Sequence, residues 1–294
     1  MKFSAAYNKG INKCYQLRKT EIKMKINADK NTGIKSIVLC FSLLLLLCAC
    51  SPKKTDPGKA EDKTTLPEKH LIAYDEPLNT LNDALGADWF NGRLDDHDSR
   101  YYVINDYYNM HSEGSLHILS QFETYQQTTE HSCGAASALM VLNYFGNREY
   151  DELEICELAK TDEHKGTSVE GLHDFFVNCG WKAEMHADTE RKFAHIADAE
   201  TFFVNKIEEG IPVMVDWEDW RGHWQVVIGI DTCDNESLYD DVVIVADPYD
   251  ITDHYQDGYF TIPFGRFFDM WREGPCTKKT EPYEQPYVIA TPAE

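Results

Sequence analysis

The chain has 294 residues, 43% hydrophobic and 12% aromatic, with 28 Lys and Arg against 50 Asp and Glu. That length holds one sizeable domain plus extras, because cores divide only beyond about 250–300 residues, and the apolar fraction excludes a charge-dominated disordered chain. Residues 1–49 hold nine Lys or Arg and two acidic groups, which leaves 19 basic against 48 acidic side chains from residue 50 onward; such a surface repels phosphate backbones, so nucleic acid is not an expected partner, basic peptides or neutral polymers match better, and solubility alone also accounts for the acidity.

Residues 37–49 read IVLCFSLLLLLCA and follow a lysine-rich stretch. The run is too short to span a bilayer, which needs about 20 residues, but it suits the apolar region of a secretory signal. It ends in Leu47-Cys48-Ala49-Cys50, which resembles a bacterial lipobox. That resemblance implies a signal peptide over 1–49, cleavage before Cys50, and diacylglycerol on the Cys50 thiol. The expected outcome is an exported protein, lipid-anchored to the outer side of a bacterial membrane with no membrane-spanning helix. Met24 is a more ordinary start than Met1. Residues 50–70, rich in Pro, Gly, Lys and Thr without apolar periodicity, read as a flexible tether. Beyond Cys50 the chain carries Cys133, Cys156, Cys179, Cys233 and Cys276, and an odd number leaves at least one free thiol.

Residues 71–115 are aromatic-rich and polar, with one short strand expected at 101–105, and read as an accessory extension. From 116 the pattern sharpens. A strand is expected at 117–125, then a helix from CGAASALMVLNYFG, in which Ala136, Leu139, Met140 and Tyr144 recur at helical spacing and Gly146 stops the run. A second helix covers 150–159. Thr167-Ser168-Val169-Glu170 reads as a capping box opening a third, which ends near Gly180, and a fourth covers 197–209. Strands follow at 211–217, 223–231, 241–248, 259–263 and 287–291. Helices first and antiparallel strands afterwards predict an α+β fold, with a cleft between its layers as the natural place for chemistry.

Cys133 begins its helix, where unpaired backbone N–H groups and the helix dipole favour a thiolate nucleophile. Gly134 would let a substrate approach the backbone closely. Such a nucleophile needs a base and an orienter within reach. His223 opens an apolar strand after Arg221-Gly222, and Asp247 ends another, with Pro248 stopping its ladder. On adjacent antiparallel strands, Asp247 would accept from the His223 ring and fix its tautomer. Taken singly, each reads more simply as a surface or turn residue; the combination carries the assignment. His131 is a rival base, but it sits only two residues from Cys133. Trp217, Trp220 and Trp224 suit a substrate groove and core packing equally. His186 and His195 lack partners at ligand spacing, and no Cys-x-x-Cys occurs after Cys50, so neither metal nor cofactor is expected.

Residues 119–271 resemble the peptidase domain of bacteriocin exporters that cleaves after double-glycine leaders, and its stand-alone relatives in the papain-like superfamily. The resemblance rests on Gln127 six positions before Cys133, Cys133-Gly134-Ala135-Ala136, the Met140 to Gly146 end of that helix, Gly166-Thr167-Ser168, His223-Trp224 followed by VVIGID, and Asp247-Pro248. It implies a papain-like domain over 116–294, a helical lobe whose nucleophile helix packs on an antiparallel sheet. Cys133 would attack a carbonyl, His223 move the proton, Asp247 orient His223, and Gln127 donate to the oxyanion together with the Cys133 backbone N–H. The implied activity is hydrolysis of peptide bonds through an acyl-enzyme thioester. A transpeptidase-like acyltransferase would use the same set, and a binding module would keep only the fold. No transporter is attached, and Glu130-His131-Ser132 precede the cysteine, which are departures from the exporter domains.

Overall fold

The computed structural model describes residues 66–73, 86–87, 99–277 and 279–293. The expected signal peptide, Cys50 and most of the expected tether lie outside the described residues, in which no helix is long and apolar enough to cross a membrane.

The strands are β1 (Leu116–Ile118), β2 (Lys182–His186), β3 (Val213–Trp217), β4 (His223–Asp231), β5 (Val242–Ala246), β6 (Tyr259–Pro263) and β7 (Tyr287–Thr291). They form one antiparallel sheet in the order β2-β7-β3-β4-β5-β6, with β1 paired to the far end of β4. The helices are α1 (Cys133–Tyr144), α2 (Glu152–Leu158), α3 (Val169–Asn178), α4 (Ile196–Glu208) and α5 (Phe264–Met270). Gly146, Gly180 and Gly210 follow α1, α3 and α4 with φ of +80°, +80° and +74°, the left-handed conformation that ends a helix at little cost in glycine.

The central strands are buried on both faces, which explains why they read as apolar runs rather than alternating ones. Met214, Val226, Ile228 and Ala246 pack into one core with Ala136, Met140 and Phe176 of α1 and α3. Val213, Val215, Trp217, Val227 and Val245 pack into another with Phe203, Phe264, Phe267 and Trp271. The sheet is therefore held between two apolar layers, with each fully buried large side chain contributing about 1.5–3 kcal/mol.

Several expected elements are corrected. Residues 101–105 form no strand: Tyr101 and Val103 are 79% and 83% exposed, Tyr102 packs edge-on against His254, and the local structure is a 3-10 turn at Tyr107–Asn109 capped by Asp106. The strand expected at 117–125 stops at Ile118, because Gln121 takes φ +57° and turns the chain. In α3 the cap is Ser168, which accepts the Gly171 N–H at 3.0 Å, rather than Thr167. A full capping box sits instead on α2, between Asp151 and Glu154. The end of the segment read as a tether lies along the domain: the His70 carbonyl accepts the Thr124 N–H, Ile72 N–H donates to the Thr124 carbonyl, and the Tyr255 hydroxyl donates to the Pro67 carbonyl.

Candidate active site

Cys133 is the first residue of α1, and Ser132 before it makes no side-chain cap, so the N–H groups of that first turn are not claimed by a capping oxygen. Almost all of α1 is buried. A Cβ on Gly134 would lie 2.7 Å from Thr167 Cβ and 3.2 Å from Trp224 Cδ1. Gly134 is thus required for α1 to lie against the 166–168 turn, which corrects the expectation that its role is to admit substrate. The same turn is held from the sheet, since Trp224 Nε1 donates to the Thr167 carbonyl at 2.8 Å.

His223 begins β4 after Trp220, Arg221 and Gly222, which have φ of +49°, +83° and +127°. Two consecutive non-glycine residues in that region are strained, and the fold tolerates the cost beside His223. Val226 pairs with Ala246, so His223 and Asp247 fall at the same end of the β4–β5 ladder. His223 Nε2 lies 2.7 Å from Asp247 Oδ1. Ring nitrogen Nδ1 stays outside the Asp247 bond, and the Cys133 sulfur is near enough to the ring to act on its charge. Burial opposes a charge on this ring, but the Asp247 carboxylate and the Cys133 sulfur outweigh it and hold His223 well above the ordinary imidazole range. Asp247 is fixed in turn, accepting the Tyr249 N–H at 2.7 Å and donating its own N–H to the Gly258 carbonyl at 2.8 Å.

The structure therefore brings Cys133, His223 and Asp247 together, and places Gln127 differently. Gln127 is buried; its Nε2 donates to the Thr129 carbonyl at 2.6 Å, and its Oε1 has no hydrogen-bond partner among the described residues. Its backbone N–H donates to the Pro248 carbonyl at 2.9 Å. Neighbouring Gln126 points elsewhere, accepting from Gln256 Nε2 at 3.0 Å. His131 shares the cleft with Cys133, but burial pushes its ring below the ordinary range, and the nearby acids Glu163, Asp162 and Glu130 do not offset it.

The cleft beside Cys133 has a volume of about 760 Å³. Trp220, 56% exposed, and Trp224 line it, but Trp224 is also buried in one core as Trp217 is in the other, so packing accounts for two of the three tryptophans. Two acidic residues were missed by sequence reasoning. Asp216 lines the cleft from β3; burial, then the charge of Glu273, raises its carboxyl to about 7. Glu152 is fully buried and accepts from Thr128 N–H at 3.0 Å, Thr128 Oγ1 at 2.6 Å and the Tyr125 hydroxyl at 3.0 Å. Burial raises the Glu152 carboxyl despite bonds from the Ser132 and Thr128 hydroxyls. It pins the segment leading into Cys133, and nothing in a helix-start glutamate marks that role in advance.

An antiparallel sheet flanked by helices, with a cysteine at a helix start facing a histidine and an aspartate on the sheet, defines a papain-like cysteine peptidase fold. The sequence profile of the Peptidase_C39 like family matches residues 119–276, more than half of the chain, and the chain belongs to that family. Among solved structures it is similar to the peptidase domain of Streptococcus ComA, a bi-functional ABC transporter involved in a quorum sensing pathway, at 18% identity and a TM-score of 0.40 over 58% of this chain and 99% of that one. It is also similar to a double glycine motif protease from an AMS/PCAT transporter in complex with the leader peptide, at 16% identity and a TM-score of 0.38 over 58% of this chain and 91% of that one. The Streptococcus mutans ComA peptidase domain matches at 14% identity and a TM-score of 0.31, over 57% and 98%. No curated protein sequence matches the chain.

Proposed function

We propose that this protein is a cysteine peptidase that hydrolyses peptide bonds outside the membrane through an acyl-enzyme thioester. The observation that carries the reading is the His223–Asp247 hydrogen bond beside Cys133, which lines the cleft. In the first half-reaction His223 Nδ1 takes the Cys133 proton, and Asp247 stabilises the imidazolium through Nε2. The thiolate attacks the scissile carbonyl, whose oxygen accepts from the Cys133 backbone N–H and from the Gln127 amide, the latter through the N–H not given to Thr129. His223 then protonates the departing amine as the C–N bond breaks and the thioester forms. In the second half-reaction His223 takes a proton from water, the hydroxyl adds to the thioester carbon, and the Cys133 sulfur leaves, releasing a carboxylic acid. A peptide is the substrate, and the acidic surface favours a basic one. The Cys50 lipid anchor would hold this chemistry on the outer face of a bacterial membrane.

A thiol-directed peptidyl probe applied to the full chain tests the reading. Labelling is expected at Cys133 and absent from Cys133→Ala. Labelling that survives the substitution, or equal alkylation of every cysteine near neutral pH, overturns it. For the anchor, Cys50→Ala is expected to move the protein from the detergent to the aqueous phase; unchanged partitioning rejects lipidation.

A further inference from the structure

We infer that the loop joining β5 to β6 binds one hard divalent cation of the calcium class through the carboxylates of Asp250, Asp253 and Asp257. One oxygen from each of the three lies within 4.8 Å of the others. Calcium–oxygen bonds of about 2.3–2.6 Å let a single ion reach three atoms so spaced, and the flexible coordination of calcium accepts further oxygens from backbone or water. The shorter, stricter octahedron of magnesium, at about 2.0–2.1 Å, suits that spread less well. No nitrogen or sulfur ligand belongs to the cluster, which points away from zinc and copper.

An acidic cluster at a surface would need no ion, but this one is not at the surface. Asp250 is fully buried and Asp257 nearly so. Asp250 Oδ2 accepts the Gly258 N–H at 2.9 Å, while Oδ1, buried with it, has no hydrogen-bond partner among the described residues. Leaving a buried carboxylate oxygen without donor or cation is costly, and a bound cation removes the deficit directly. The charges that act most on Asp250 are other carboxylates, those of Asp253, Asp247 and Asp257. Lys69 offsets part of the charge on Asp257 and His254 part of that on Asp253. Backbone N–H groups already steer the other two acids, Tyr255 to Asp253 Oδ1 and Tyr259 to Asp257 Oδ1, both at 3.0 Å, so the ligand directions are set without the ion.

The site is separate from Cys133 and His223, yet it shares a loop with Asp247. Gly258 joins the two, its carbonyl taking the Asp247 N–H and its N–H going to Asp250. A bound cation would clamp the loop at the residues next to Asp247 and hold that carboxylate in place.

Isothermal titration of the full chain with calcium chloride, after removal of bound metal with chelator, is the direct test. One saturable site per chain is expected, with a melting temperature raised by about 5–10 °C at a hundredfold excess over Kd, and with slower proteolytic cleavage between residues 247 and 258. Asp253→Asn, at the least buried of the three positions, should keep the fold by circular dichroism and lose at least tenfold in affinity; Asp257→Asn should do the same. Absence of a saturable site, or binding unchanged in both variants, overturns the proposal. Equal competition by magnesium at equal concentration overturns the calcium-class assignment. None of these readouts uses peptidase activity, so their outcome is independent of the proposed reaction.

Discussion

Replacing Asp247 by Asn tests the charge in the site while nearly preserving its shape. An asparagine carbonyl oxygen can still accept from His223 Nε2 and from the Tyr249 N–H, both now 2.7 Å from Asp247 Oδ1. What disappears is the negative charge facing a fully buried ring. Opposite charges about 4 Å apart at an effective dielectric near 20 attract by roughly 4 kcal/mol. Some of that is returned by reorganisation, so a loss of about 2–4 kcal/mol is expected for the thiolate–imidazolium pair, or roughly 30- to 1000-fold in kcat/KM. Burial, which already opposes the charged ring, then dominates, and the His223 titration moves down. The stability consequence has a definite sign. In the wild type the folded ring titrates above its unfolded value, so the His223–Asp247 contribution is complete below about pH 6.5 and fades as pH rises through the raised folded value. The variant should therefore be less stable than wild type at pH 6 and converge on it in alkaline solution. Peptide hydrolysis across pH, with urea unfolding of both proteins, measures both effects. A folded Asp247→Asn protein with wild-type kcat/KM and an unmoved pH profile would refute Asp247 as the group that holds the base.

Gln127→Ala should lower turnover by about a hundredfold to a thousandfold with little change in KM, the usual cost of one oxyanion donor; an unchanged kcat leaves the backbone N–H as the sole donor. Gly134→Ala should cost about 1–3 kcal/mol, because the new methyl meets Thr167 at 2.7 Å, and an unaltered urea midpoint contradicts the close approach. Asp216→Asn concerns a carboxyl raised to about 7 by burial. Its folded form keeps a proton that the unfolded chain releases near pH 4, so its contribution is fullest below that pH and is lost through about 7, roughly 4 kcal/mol in all. The variant should show a flatter fall in stability between pH 5 and pH 8, and equal slopes would reject the raised carboxyl.

The α+β class, the helix beginning at Cys133 and the strands beginning at His223 and ending before Asp247 are legible in the residue order, because apolar period and glycine stops act locally. The family itself is legible too, since its marker residues are spread over the stretch that the profile matches. What escaped depends on partners distant in sequence. β2 reads KAEMH, an edge strand that, among the described residues, pairs only with β7 a hundred residues later. α5 follows Pro263 directly and is rich in phenylalanine, a composition that suits strand as well as helix. In the site, the reason for Gly134 lies in Thr167 and Trp224, and the reason for Glu152 lies in Tyr125 and Thr128. The three aspartates of the β5–β6 loop carry no ligand spacing that sequence shows, because a carboxylate cluster depends on how the loop folds.

The bond from the Gln127 N–H to the Pro248 carbonyl joins the stretch of chain entering α1 to the residue beside Asp247. The spacing between the two halves of the site is therefore carried partly by main chain, independent of which side chains stand at 127 and 248. Replacing the Gln127 side chain would remove its amide while leaving the separation of Cys133 from Asp247 to the main chain. Proline at 127 is the one residue that this bond forbids, since it alone has no hydrogen to give.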